Sequence, residues 1–338
     1  MKRPLLTVLT TPIAGAPRRA YQRVRRSVRP LFRPGVPLPA ASPYPGHFAL
    51  VRSVVDGLRA IGADFNFNPG SFGEVGTVVY APANEALRQA AALKRDGRID
   101  RLVAGPVNAL FPNECESVLM LPEIDRLIVA SEWVIDLYRA EAPQLVPKIR
   151  VCPAGVDTDA WQPRAGAIRN TGLVYWKSGP ETFCEEVERV VTRCGVAPVR
   201  IRCGDYTREE YRRALDSAAV AVFLSSFETQ GLALAEAWAM DVPTVVWDPR
   251  ADTEWRGRRF RSGSSCPWLT PETGRTFGNP AELEEVLVGA VRAAAAFHPR
   301  QWVLAHMTDA VCAAQLHHII LDGLDGFDGS DRRPAAGI

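Results

Sequence analysis

The sequence predicts an α/β protein, with parallel sheets covered by helices. Three observations carry that prediction. Short apolar runs alternate with helix-forming stretches along most of the chain, the order in which strands and covering helices follow one another in a parallel sheet. The 338 residues leave room for two domains of ordinary size. The stretch 219–248 reads in one pass as buried strand, polar turn, helix, turn and buried strand.

From the N-terminus, residues 5–9 read as a first strand. The apolar run there is interrupted by Thr7, Thr10 and Thr11 and stops at Pro12, which suits a strand and not a signal peptide. A Pro- and Arg-rich connection follows over 12–45. Arg18, Arg19, Arg23, Arg25, Arg26, Arg29 and Arg33 cluster in it, and no acid precedes Asp56. Tyr21, Val24, Val28 and Leu31 recur at helical spacing, so a basic amphipathic helix is expected over 17–32. Two uses fit such a helix. One is contact with an anionic membrane or an anionic acceptor; the other is a solvated segment whose apolar stripe packs on its own domain. Pro45-Gly46-His47 then opens a helix over 48–61. His47 there is either a binding or catalytic group or a solvated turn residue. Strands at 63–68 and 77–80, a helix at 84–94 and a strand at 101–104 continue the alternation. Residues 117–121 and 125–130 both read as strands, with a helix over 132–140.

Gly155-Val156-Asp157 reads as a turn. Beyond it the alternation resumes with a strand at 172–176, a helix at 180–194, a strand at 199–203 and a helix at 207–217. In the central stretch, 219–224 is a short apolar run bounded by Ser225-Ser226. Residues 232–240 are rich in Ala and Leu, which favour helix. Pro243 stops that helix and a β-branched run begins. Residues 249–279 read as irregular and basic, with Arg250, Arg256, Arg258, Arg259 and Arg261. Helices are expected over 280–297 and, unbroken, over 300–321. Asp322, Asp325, Asp328 and Asp331 recur among glycines without the spacing or closing Glu of a calcium loop, so 322–338 reads as a disordered tail.

Composition narrows the function classes. Hydrophobic residues at 47% against 23% charged describe a soluble globular chain with a full core. A net charge of +2 argues against a nucleic-acid binder. The seven cysteines are scattered with no Cys-x-x-Cys pair, which argues against a disulfide framework or zinc site and for a reducing cytoplasm. No run of eighteen apolar residues predicts a membrane-spanning helix.

The chemistry concentrates in the central stretch. Glu228 sits in the polar turn and Glu236 inside the helix, with seven residues between them. A helix N-terminus approached through Gly231 offers free N–H groups and a partial positive charge, a seat for a phosphate or diphosphate. Glu228 beside that seat can touch a polyol carried by the phosphate. Glu236 can accept from ribose hydroxyls, because an ionised carboxylate accepts two hydrogen bonds well. The alternative is an N-terminal acid that stabilises a helix dipole and one surface glutamate.

The stretch resembles the donor-site motif of the retaining GT-B glycosyltransferases, glycosyltransferase family four above all. It has that family's Ser226, Glu228, Gly231-Leu232, Glu236-Ala237, Ala239 and Pro243-Thr244-Val245-Val246 in order. Asp241 stands where the family usually has Gly, and Asp tolerates left-handed backbone angles better than most residues. A second match is Lys148-Ile149-Arg150-Val151-Cys152-Pro153 with Gly155-Val156-Asp157, Trp161 and Pro163, which resembles the end of the family's first domain and so implies a first domain over 1–160, a linker near 158–170 and a second domain over 170–300. Thr273-Gly274-Arg275-Thr276-Phe277 resembles its short C-terminal glycine segment. The resemblance covers about residues 100–300 well and the first hundred weakly.

What the resemblance implies is a GT-B fold: two Rossmann-like domains facing across a cleft, with the C-terminal helix crossing back onto the first. It implies transfer of a sugar, a hexose above all, from a nucleotide-diphosphate-sugar to a hydroxyl acceptor with retained anomeric configuration, and no cofactor or metal. Glu228 and Lys177 take the catalytic roles, Glu228 against the sugar and Lys177 near the diphosphate. Glu236 holds the ribose, and Ser226, Gln230, Gly231, Leu232 and Gly46 make up the donor-binding set. His47 and Asn108 are candidate acceptor or sugar contacts. The chain departs from the family in two places. Tyr175 and Trp176 leave Lys177 without the usual Arg, and Gly105-Pro106-Val107-Asn108 stands where a His is common, so Asn108 can hydrogen-bond a sugar but cannot act as a base. A sugar phosphorylase or sugar-nucleotide epimerase on the same fold, and a non-catalytic nucleotide-sugar binding protein, are the alternatives.

Overall fold

A computed structural model of the chain describes residues 5–13, 46–249, 251–292 and 296–324, and for 46–48 the backbone only. The expected basic helix over 17–32 lies outside the described residues. Of the disordered tail expected over 322–338, residues 322–324 are instead ordered, with Asp322 O accepting from Arg101 at 2.7 Å and Asp322 Oδ2 from Arg126 at 3.1 Å, and the rest lies outside the described residues. Among the described residues, the first half of the chain forms a parallel sheet from β1 (Leu6–Val8), β2 (Phe65–Phe67), β3 (Val78–Ala81), β4 (Arg101–Ala104), β5 (Arg126–Val129) and β6 (Ile149–Val151). Its spatial order is β2-β1-β3-β4-β5-β6. The second half contributes β7 (Thr171–Trp176), β8 (Ala197–Arg202), β9 (Ala218–Leu224) and β10 (Thr244–Trp247). A hairpin of β11 (Asp252–Trp255) and β12 (Arg258–Arg261) follows, then β13 (Gly274–Phe277). The second parallel sheet runs β13-β10-β9-β7-β8. The covering helices of the first half are α1 (Gly46–Ala60), α2 (Asn84–Arg95) and α3 (Trp133–Glu141). Those of the second half are α4 (Glu181–Arg193), α5 (Arg208–Ser217), α6 (Leu232–Ala239) and α7 (Pro280–Arg292), and α8 (Pro299–His306) and α9 (Asp309–Leu321) end the described chain.

Each sheet is buried on both faces, as parallel sheets require. On one face of the first sheet, Leu87, Ala90 and Leu93 of α2 meet Leu102 and Leu127. On the other, Leu6, Val8 and Ile128 meet Val54 and Leu58 of α1 together with Leu316 and Ile320 of α9. The second sheet is centred on β9, whose alternate residues serve two cores. Ala221 and Phe223 face Trp238 and Tyr211, while Val220, Val222 and Leu224 face Val187 and Leu287. Trp238 anchors α6 from within, its indole N–H donating to Thr244 Oγ1 at 3.0 Å. Truncating so large a buried side chain to Ala costs about 3–5 kcal/mol, so the helix that carries Glu236 is held firmly.

The C-terminal chain returns to the first sheet, and α9 packs along α1. The unbroken helix expected over 300–321 is instead two helices. Met307 leaves helical angles and Thr308 starts the second helix, its Oγ1 accepting from Val311 N at 3.1 Å. The break lets Val156 pair with Thr308 and brings the start of α9 against two glycines. A Cβ on Gly57 would lie 2.2 Å from Asp309 O, and one on Gly155 would lie 2.5 Å from Asp309 Cα. Arg52 of α1 seals the contact, donating to Asp309 Oδ2 at 2.5 Å.

Two other sequence expectations are corrected. Residues 117–121 are not a strand. Cys115, Glu116 and Ser117 take φ of 52°, 56° and 55°, a left-handed turn, and a 3₁₀ turn follows over Val118–Met120. Contacts remote in sequence hold this turn: Arg88 of α2 donates to Cys115 O at 2.5 Å and pairs with Glu116, and Trp255 Nε1 donates to Glu114 Oε1 at 2.8 Å. Residues 249–279 are not irregular throughout, because β11 and β12 form an antiparallel hairpin turned at Arg256-Gly257. Both turn residues have positive φ, 49° and 79°, as a two-residue hairpin turn of the right twist needs.

Candidate active site

Ligand sites in open parallel sheets lie beyond the C-terminal strand ends. Beyond β7 and β9 the chain places Lys177 and Glu228 together, with Lys177 Nζ 2.6 Å from Glu228 Oε1. Ser225 Oγ donates to the same oxygen at 3.0 Å. Burial, the largest single influence, pushes the Lys177 ammonium pKa down, but the charge and hydrogen bond of Glu228 together with nearby Cys203 outweigh it and leave the ammonium above its usual range. Ser226 Oγ donates to Ser178 Oγ at 3.3 Å and accepts from Thr253 Oγ1 of the hairpin at 3.0 Å. The turn after β7, the turn after β9 and the hairpin therefore meet at one place.

Gly231 makes the next feature. Its φ is +80°, and a Cβ would lie 2.8 Å from Leu234 Cδ1. Only glycine fits there without strain. Gly231 starts α6 without a side chain of its own, and among the described residues no side-chain hydrogen bond caps that end of the helix. The first N–H groups of the helix, from Leu232 onward, point from the same end of the second sheet as Lys177 and Glu228.

Glu236 lies one turn further along α6 and is 5% exposed. The surface position that the alternative reading of this acid requires is therefore ruled out. Among the described residues its carboxylate accepts no hydrogen bond. Burial pushes its pKa up to about 8, against the opposing pull of Arg208 and Arg52. A buried carboxylate with raised pKa and no hydrogen-bond donor is costly in a structural role and common in a functional one.

Gln230 is placed differently from the donor contact expected of it. Its amide is 7% exposed and clasps the backbone of Ala154, accepting from Ala154 N at 2.9 Å and donating to Ala154 O at 2.6 Å. Its side chain ties the turn after β9 to the end of the first half, which leaves only its backbone for a ligand. Asn108 is exposed in the loop after β4, and Gly46 opens α1 with His47 in its first turn. The His47 side chain lies outside the described residues.

Sequence reasoning passed over several neighbours. Ser131 and Trp133 follow β5 and reach the turn after β9: Ser131 Oγ donates to Thr229 O at 2.6 Å and Trp133 Nε1 to Glu228 O at 2.9 Å. Arg208 opens α5, 3.5 Å from Asp157 and over the Trp161 ring. Tyr206, between β8 and α5, meets Tyr175 through their hydroxyls at 3.2 Å. All follow strand ends, and that position was the available signal. Among the described residues no helix is long and apolar enough to cross a membrane.

No family model matches the sequence, and no curated protein matches it. Solved structures do match in fold along nearly the whole chain. Anabaena HepE, seen in complex with UDP and glucose, is 12% identical with a TM-score of 0.56, over 94% of this chain and 99% of that one. The lipopolysaccharide outer core galactosyltransferase WaaB is 10% identical with a TM-score of 0.53, over 94% and 98%. Sucrose-phosphate synthase from Thermosynechococcus elongatus is 14% identical with a TM-score of 0.52, over 94% and 98%. At these identities the likeness is one of fold, and the fold is GT-B: two Rossmann-like domains of parallel sheet.

Proposed function

We propose that this protein is a retaining glycosyltransferase of the family-four type, moving a hexose from a nucleotide-diphosphate-sugar to a hydroxyl on a glycan, lipid or small molecule. One observation carries the reading: a lysine, a carboxylate and an uncapped helix N-terminus converge at adjacent strand ends, with a second carboxylate buried in that same helix. The fold shared with HepE, which holds UDP and glucose, supports it.

In this reading the diphosphate sits at the N–H groups of Gly231 and Leu232, with Ser226 and the Gln230 backbone beside it. Lys177 offsets charge on the leaving phosphate. Glu236 accepts from the ribose, and Gly46 lets backbone approach the donor. The C1–O bond to the diphosphate breaks with its electron pair going to the phosphate oxygen. The acceptor oxygen bonds C1 on the same face, and its proton passes to the departing phosphate. Glu228 stabilises positive charge on the sugar during the exchange. His47 and Asn108 belong to the acceptor side.

No cofactor or metal takes part in this reading, so turnover is expected to persist in excess chelator; loss on chelation and rescue by magnesium or manganese would overturn that point. A cytoplasmic setting follows from the scattered cysteines. Peripheral contact of residues 17–32 with the inner membrane face is tested by salt-reversible sedimentation with anionic but not neutral liposomes. The reading as a whole is tested by a thermal-shift panel of nucleoside diphosphates and their hexoses, because a ligand of the folded state raises the midpoint. One base should shift it and its sugar conjugate should turn over. No shift with any would contradict the proposal.

A further inference from the structure

Both backbone groups of Glu228 are held from outside its own turn. Its N–H donates to Ser264 O at 3.0 Å, and its C=O accepts from Trp133 Nε1 at 2.9 Å. Ser264 belongs to the same half of the chain as Glu228, whereas Trp133 opens α3 in the other half. The next carbonyl, that of Thr229, is held by Ser131 Oγ at 2.6 Å, again from the first half.

The Trp133 indole is itself fixed. Its ring stacks on Phe260 of the hairpin, with centroids 6.4 Å apart and planes 5° from parallel, and meets Phe227 edge-on at 6.4 Å. Phe227 and Phe260 in turn contact each other at 5.2 Å. Gly263 packs so closely that a Cβ there would lie 2.5 Å from Trp133 Cβ. The hairpin is pinned to the first half as well: Trp255 Nε1 donates to Glu114 Oε1 at 2.8 Å, and Arg258 pairs with Glu141. Closure of the two halves, seating of the hairpin and the direction of one N–H bond thus converge on the Glu228 peptide.

We propose that Trp133 is a positioning residue that holds the Glu228 carboxylate in its working direction. The inference rests on the role given to Glu228 above. The carboxylate has its own partners, Lys177 and Ser225, but a bound diphosphate draws the Lys177 ammonium toward itself. The backbone anchors persist through that change. A carboxylate that acts by charge works only where it is held, and a displacement of about 1 Å at a reacting centre can lower the rate about a hundredfold.

The test uses the full chain and the release of nucleoside diphosphate from UDP-, ADP-, GDP- and dTDP-hexoses, with water as the acceptor. Trp133→Phe keeps an aromatic ring against Phe260 and removes the N–H. It should lower kcat by on the order of tenfold, the scale of one lost hydrogen bond, with nucleoside diphosphate affinity unchanged. Ser131→Ala, which frees the neighbouring carbonyl and leaves the aromatic cluster intact, should act in the same direction. In a Glu228→Gln background Trp133→Phe should have no further effect, because it acts through that carboxylate. Additive losses would overturn the proposal, as would a lower melting temperature with unchanged kcat per folded molecule. A silent Glu228→Gln, or no release from any donor, would instead overturn the assignment of Glu228 and this inference with it.

Discussion

Lys177 Nζ stands 2.6 Å from Glu228 Oε1, so the ends of β7 and β9 meet in an ion pair at the mouth of α6. Neither partner is fully buried, and such a pair adds little to stability. Its interest is chemical. In the proposed reaction the ammonium turns from the carboxylate to the diphosphate without leaving the site, and each move changes the charge facing the sugar.

Lys177→Met is therefore expected to lower kcat for the preferred donor by on the order of a hundredfold, the scale of a lost electrostatic contact to developing charge. The melting temperature should move little. Steady-state kinetics beside a thermal melt check both. A wild-type kcat would remove Lys177 from the reaction.

Glu236 predicts a pH dependence of stability. Burial raises its pKa from the usual 4.5 to about 8. Between those values the folded chain keeps a proton that the unfolded chain has lost. The contribution to stability is full below 4.5 and is lost as pH rises through about 8. In urea unfolding from pH 5 to 8.5, wild type should lose stability relative to Glu236→Gln as pH rises. Parallel curves would mean that the carboxyl is ionised throughout. Binding of a nucleoside diphosphate to wild type at pH 7 should release a proton if the ribose is held by the ionised form, seen as a buffer-dependent heat that Glu236→Gln lacks.

Gln230 bridges the two halves with both ends of its amide on Ala154. Gln230→Leu leaves a buried backbone N–H and C=O without partners, each worth about 1–3 kcal/mol. Denaturant unfolding should show a loss of about 2–6 kcal/mol for the two groups together. Nucleoside diphosphate affinity should fall only as far as the turn around Gly231 loosens. A fully stable variant with abolished binding would show that the amide belongs to the ligand after all.

How much of this was legible follows from where each signal comes from. The 219–248 unit was readable because its apolar run, its Ala- and Leu-rich helix and Pro243 are all local. Asp241 illustrates it: the left-handed turn expected there is present, with φ of +59°. The hairpin was not readable. Arg256-Gly257 lacks the usual Asn-Gly turn signal, and Trp255, Arg258 and Phe260 are patterned to fit the opposite half of the molecule. The left-handed turn at Cys115, Glu116 and Ser117 is likewise imposed by contacts remote in sequence. Burial of Glu236 had a signal that went unused, since Leu232–Ala239 is apolar on every side but for that acid, as a buried helix is.

The central claim is that two carboxylates of one loop and helix divide the work, Glu228 acting on the sugar and Glu236 holding the nucleotide. The most direct test is a paired measurement of kcat and donor KM, with nucleoside diphosphate affinity, for Glu228→Gln and Glu236→Gln. Glu228→Gln should lower kcat by on the order of a hundredfold or more and leave nucleoside diphosphate affinity nearly unchanged. Glu236→Gln should raise donor KM and weaken nucleoside diphosphate binding, with a smaller change in kcat. A Glu228→Gln enzyme that turns over at the wild-type rate would contradict the account, even if the protein still bound nucleotide sugars.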